Sequence, residues 1–116
     1  MNLSDAVREL GLICLTPELD ATDVTVTGGY VSDLLSDVLG NAPHGGVLVT
    51  VQVHLNVVAV AVHAEQAAVI FAMNRVPEES VVRRAVEERI LLYTARQPAF
   101  EVVGRLYALG LRGPAA

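Results

Sequence analysis

The chain has 116 residues, with 8 Lys+Arg against 13 Asp+Glu for a net charge of -5, an apolar fraction of 53% and a mean hydropathy of +0.47. That length is one domain with a single core, and the negative charge opposes the phosphate backbone, which argues against DNA or RNA as a partner. No apolar run reaches the 18 or so residues of a membrane span, because the longest is broken by His54, Asn56, His63, Glu65 and Gln66.

So high an apolar fraction in so small a chain predicts that part of its surface meets another subunit, and a homodimer is the expected assembly. The start, MNLSDAVREL, lacks the basic residues, apolar core and small-residue cleavage site of a secretory signal, so a cytoplasmic location is expected. The single cysteine, Cys14, has no partner for an internal disulfide and no metal-ligand spacing; within GLICLT it reads as a small core residue.

Leu3, Val7 and Leu10 recur at helical spacing, with Ser4 as a cap and Gly11 as a stop, which predicts a helix over 4–10. A strand is expected in LICLT and another in DVTVTGG, ended by its two glycines. YVSDLLSDVLG then places Val31, Leu34, Leu35 and Val38 on one helical stripe that stops at Gly40 and Asn41. VLVTVQV is apolar on both parities, as in a central strand covered on both faces. Residues 56–65 suit helix through Ala59, Ala61 and Ala64, and AAVIFAM is a further buried strand. Pro77 opens a helix running to about Arg89, with Glu78 and Glu79 in its first turn and Glu79 paired to Arg83 at i,i+4. ILLYT is the last strand, and Pro98 opens a final helix ending at Gly110.

Strands alternating with helices through short joints predict an α/β fold, a single layered domain with a mostly parallel central sheet flanked by helices. The core is expected to span about residues 4–111, with 112–116 as a frayed tail.

In an open parallel sheet, ligands bind at the carboxyl ends of the strands, and the unusual polar residues are expected to gather there. The candidate ligand site is Gly28, Gly29, Tyr30, His54, Asn56 and Thr94. Asn56 suits a helix N-cap, a role compatible with ligand contact. His54 either bonds a backbone group in a tight turn or faces a crevice. Gly28 and Gly29 serve either a positive φ or a close backbone approach to a phosphate. Tyr30 suits core or dimer packing with its hydroxyl bonded at the rim. No GxxxxGK[ST] loop or GxGxxG turn is present, so neither common nucleotide fingerprint applies. Ser32, Asp33 and His54 can be drawn as a triad, but GYVSDLL is not a GxSxG elbow and Ser32 suits a helix cap better. His44 reads as a loop residue and His63 as an exposed or structural one; no metal site and no cofactor are expected.

From about Gly11 to Leu111 the succession LGLICLT, VTGGYVSDLLSDVLGNA, VTVQVHLNVVAVAV, AAVIFAMNRVPEESVVRRAVEERILLYT and FEVVGRLYALGL resembles the DRTGG-domain family. The resemblance is most specific in GYVSDLLS and HLNVVAVA taken together. It implies a fold like the N-terminal domain of HPr kinase/phosphorylase and an accessory or regulatory role, in a family whose domains are fused to pyrophosphatases with CBS domains and to phosphotransacetylases and often mediate dimerisation. This chain departs from the family at Gln52 to Asn56, where QVHLN stands in place of the Asp-Arg pair of the name motif. The expected function is therefore a non-catalytic regulatory module, probing a small anionic ligand such as a nucleotide or phosphorylated metabolite, or docking on a partner enzyme. The alternatives are a small enzyme with His54 as general acid or base on a phosphoryl or acyl substrate, and a purely structural assembly subunit.

Overall fold

The computed structural model describes residues 1–115. Helix α1 (Leu3–Leu10) buries Leu3, Ala6 and Leu10 on one stripe and closes on Gly11, whose φ of 64° is the left-handed cap that glycine adopts without strain. Its N-cap is Asn2 rather than the expected Ser4: the Asn2 Oδ1 accepts from the Ser4 N–H at 3.0 Å. The elements that follow are β1 (Ile13–Cys14), β2 (Gly29–Val31), α2 (Leu35–Asn41), β3 (Val47–Thr50), α3 (Asn56–His63), β4 (Ala68–Phe71), α4 (Glu79–Glu88), β5 (Leu91–Thr94) and α5 (Ala99–Ala108).

The strands form one sheet in the order β1-β5-β4-β3-β2, in which β2, β3, β4 and β5 are parallel and β1 alone is antiparallel. This is the α/β fold the alternation implied. β3, β4 and β5 are buried at every position, which explains why their sequences carry no polar alternation. The crossover helices α2, α3 and α4 all cover one face, where Val38, Val57, Val58 and Val81 pack on Leu48, Val69, Phe71 and Leu92. Right-handed crossovers between strands added in one direction must all fall on the same side. The other face is covered by α1 and α5, whose Leu3, Leu10, Val102 and Leu106 pack on Val47, Val49, Ile70 and Tyr93. The chain thus begins on the α1/α5 face, crosses to the other face after β2 and returns after β5.

Three local expectations are corrected. DVTVTGG is not a strand: it is largely irregular, contributing only an isolated bridge from Thr25 to Asn2, while Gly29 begins β2 instead of ending a strand. The helix expected from Val31 starts at Leu35, because Val31 is spent on β2; Val38 is buried, whereas Leu34 is left 64% exposed. Cys14 is exposed, because β1 is an edge strand whose two residues both lie open.

The amino edge of the sheet is closed by contacts that leave no room for side chains. A Cβ on Gly46 would stand 2.8 Å from the Pro43 carbonyl oxygen and 2.9 Å from that of Gly28, both backbone. Gly46→Ala should therefore cost about 1–3 kcal/mol through forced backbone shifts, whereas Gly104→Ala, inside α5 with nothing within 4 Å of its Cβ, should stabilise by roughly 0.5–1 kcal/mol. Urea unfolding of the two variants beside wild type reads both signs.

Candidate functional site

The carboxyl edge between β2 and β3 holds an ordered polar constellation. Leaving β2, the Ser32 hydroxyl accepts from the Leu34 N–H at 3.1 Å, a turn that sets up α2. Asp33 points back across the edge, its Oδ1 accepting from the buried Thr50 hydroxyl at 2.7 Å and from the Val51 N–H at 2.9 Å. Thr50 Oγ1 in turn accepts from the Gln52 N–H at 3.0 Å, and Gln52 Oε1 from the His54 N–H at 3.2 Å. His54 completes the chain: its Nδ1 accepts from the Asn56 N–H at 3.1 Å. That bond needs an unprotonated Nδ1, so the remaining ring nitrogen, Nε2, carries the hydrogen of the neutral tautomer.

This ladder of side chain to backbone bonds explains the two polar residues in an otherwise apolar stretch. His54 caps α3, satisfying an N–H that the helix itself leaves open. Asn56 is the first helical residue and not the cap, since Leu55 occupies that position without a side-chain bond. Both His54 and Asn56 are exposed beside the α3 N-terminus. Ser32, Asp33 and His54 are each committed to a different partner, and no hydrogen bond joins them as a triad among the described residues.

The other expected site residues lie elsewhere. Gly28 and Gly29 stand at the amino edge, opposite to their expected position, since Gly29 pairs with Val47 at the start of β3. Neither has positive φ; a Cβ on Gly28 would lie 3.0 Å from the Arg112 carbonyl oxygen, and one on Gly29 3.0 Å from Leu111 Cδ2. They are small so that the chain after α5 can cross the sheet, where the Gly29 N–H donates to the Arg112 carbonyl at 2.9 Å. Arg112, expected in a frayed tail, is thereby tied down; Ala116 lies outside the described residues. Thr94 ends β5 at 3% exposure and donates to the Arg75 carbonyl at 2.7 Å, pinning the loop after β4. That loop and the one after β5 leave toward opposite faces, and their mouth is closed by Met73 N–H to Gln97 O at 2.9 Å and Asn74 N–H to Ala95 O at 2.7 Å. Met73 and Asn74 both hold positive φ there. Thr94 and His54 are separated by β4, about 10 Å across two strand spacings, so only His54 and Asn56 of the six residues share a locus at the carboxyl edge.

Tyr30 turns its ring toward α2, and its hydroxyl donates to Asp37 Oδ1 at 2.7 Å. This bond holds the Asp37 carboxyl below its ordinary 3.8 and is the first cause of the Tyr30 phenol standing above its ordinary 10.0, with burial second. The depressed acid contributes stability above its unfolded value that is lost as pH falls through the folded value; the raised phenol contributes below 10.0 and is lost as pH rises through its folded value. Tyr30→Phe should accordingly lower stability near neutral pH, with the gap from wild type narrowing as the pH falls below the ordinary 3.8 of the carboxyl; thermal melts across pH 2–7 measure it.

A mostly parallel sheet with three crossover helices on one face and the terminal helices on the other defines a small layered α/β domain. No family model matches the chain and no curated protein matches it. Among solved structures it is similar to the CBS and DRTGG domains of the regulatory region of Clostridium perfringens pyrophosphatase, solved in complex with the activator diadenosine tetraphosphate, at a TM-score of 0.76 and 13% identity. The match covers 96% of this chain and 47% of that one, so the chain spans about half the length of its structural neighbour. The fold is DRTGG-like.

Asp33 carries the carboxyl-edge ladder. Asp33→Ala should cost about 1–3 kcal/mol, because it strips the buried Thr50 hydroxyl of its acceptor, and His54→Ala about 1 kcal/mol through the lost cap. Chemical denaturation of both variants tests the order of the two costs.

Proposed function

We propose that the chain is a non-catalytic, cytoplasmic regulatory module that senses a small anionic ligand, a nucleotide or phosphorylated metabolite, beside His54 and Asn56, and that acts as a homodimer or on a partner enzyme. The observation that carries this reading is the likeness, over 96% of the chain, to a regulatory region that was solved with a nucleotide activator. The geometry supports it in two ways. The exposed His54 and Asn56 flank the N-terminus of α3, where helix N–H groups and their dipole favour an anion. The groups that would form a catalytic triad are instead consumed in fixing the loops. Homodimerisation is supported by an open apolar groove of about 480 Å³, where Val31 and Tyr107 are about half exposed and Phe100 is 86% exposed. Val38 of α2 and Leu106 of α5 are buried and do not line that groove.

A thermal-shift panel of adenine and guanine nucleotides, cyclic dinucleotides and phosphorylated metabolites tests the sensor reading. A ligand at a hundred times its Kd should add about 2.7 kcal/mol, several degrees for a domain of this size, and the shift should be lost in Asn56→Ala, which keeps the His54 cap. Sedimentation equilibrium tests the assembly: wild type should be dimeric at micromolar concentration and Phe100→Glu monomeric. A wild-type monomer throughout that range would overturn the dimer.

A further inference from the structure

The open side of β2 has features that the carboxyl-edge ladder does not use, and they lie beside the groove of the dimer reading, with which they share Val31, Val103 and Tyr107. In the parallel ladder with β3, the Val47 N–H donates to Gly28 O and the Ser32 N–H to Val49 O, and Gly29 and Val31 are the residues in register with Val47 and Val49. That alternation commits the backbone of Gly28, Tyr30 and Ser32 to β3 and turns the backbone groups of Gly29 and Val31 away from it. The Gly29 N–H is taken by Arg112 O. The Gly29 carbonyl and the Val31 N–H remain, without a backbone hydrogen-bond partner among the described residues. They form an adjacent acceptor and donor on one strand edge, two residues apart, a pair that in a sheet serves a single residue of the next strand.

That pair borders a cavity of about 270 Å³ between β2 and α5. Val49, Val103, Leu106 and Leu111 give it apolar walls, and Tyr107 and Arg112 stand at one side. Gly29 has no side chain to crowd this wall: a Cβ there would stand 3.0 Å from Leu111 Cδ2. It exceeds the roughly 150 Å³ that holds a benzene ring and falls just short of the roughly 300 Å³ at which drug-sized sites begin, so its size suits one or two fused rings. Arg112 is held in place: its guanidinium lies 3.7 Å above the Tyr107 ring, and Nη1 donates to the carbonyls of Tyr107 at 2.9 Å and Leu111 at 3.0 Å. With Nη1 so engaged, Nη2 and Nε are left to meet an anion. No ion pair occupies Arg112 among the described residues.

We propose that this cavity is a binding site for a planar nitrogen heterocycle that offers a hydrogen-bond donor beside an acceptor, as the 6-amino and N1 edge of adenine does, and that carries an anionic group met by Arg112. The amino group donates to the Gly29 carbonyl, the ring nitrogen accepts from the Val31 N–H, the ring lies against Val103 and Tyr107, and the anion reaches the guanidinium. The site is separate from the carboxyl edge at His54 and names a ligand class from different residues, although it shares with the sensor reading the expectation of a small anion. Because it is the backbone that reads the ring edge, the order of donor and acceptor is fixed: a 6-oxo purine presents an acceptor to the Gly29 carbonyl and a donor to the Val31 N–H, and both contacts become repulsive.

Titration of the ¹⁵N-labelled full chain with AMP, IMP, adenosine and ribose 5-phosphate, followed by amide chemical shifts, tests this. AMP should shift Val31, Val103 and Tyr107 amides in a saturable way; IMP should bind at least tenfold more weakly; ribose 5-phosphate should leave those amides unmoved. Arg112→Gln should weaken AMP about tenfold while leaving adenosine nearly unchanged, and Val103→Phe, which fills the cavity with an apolar ring, should abolish both. Equal binding of AMP and IMP would overturn the edge recognition. Shifts confined to His54, Leu55 and Asn56 would overturn this site while supporting the carboxyl-edge reading, and an absence of shifts anywhere with millimolar AMP would overturn it outright.

Discussion

Everything in this fold depends on three short strands that are buried on both faces. β3, β4 and β5 have four residues each and expose none of them, so each needs an apolar layer above and below, and a domain of this size has few elements with which to supply it. The crossovers fill one layer without choice, because right-handed connections between strands laid down in one direction fall on one side. The second layer must come from the ends of the chain. α1 and α5 provide it, and that requirement brings residue 112 back across the sheet to meet Gly29.

The amino and carboxyl edges of the sheet solve different problems as a result. At the amino edge, the chain returning from α5, the loop around Pro43 and the start of β2 must share space, and Gly28, Gly29 and Gly46 are the residues that permit it. At the carboxyl edge, loops leave for helices and must satisfy their own backbone groups away from a ladder. Asp33, Thr50, Gln52 and His54 do so in sequence, each accepting from a backbone N–H of the edge. That arrangement leaves the side chains of His54 and Asn56 exposed at the α3 N-terminus.

The stretch around His54 illustrates how far the sequence can be read. A polar residue inside an apolar run announces a strand-to-helix turn, and the turn is there; which of His54 and Asn56 caps the helix is not legible, because it depends on whether the helix begins at one residue or the next. The glycines were misplaced for a related reason. A pair of glycines after VTVT has the form of a strand end, and nothing local reveals that the pairing partner of Gly29 is Val47 or that Leu111 must pass above it. Arg112 looked like part of a loose end because its partners, Gly29 and Tyr107, are supplied by the sheet edge and the helix it follows.

The sequence by itself determined the fold class, five helices and the three interior strands to within a few residues, and the absence of a phosphate loop, because these rest on spacing, capping and short motifs within one stretch of chain. Tertiary structure decided which helices share a face, where β2 starts, that Cys14 and Leu34 lie in the open, and that β2 and α5 enclose a cavity. Each of those is set by contacts between residues far apart in the chain, where close packing rather than local periodicity chooses among alternatives that the sequence leaves equal.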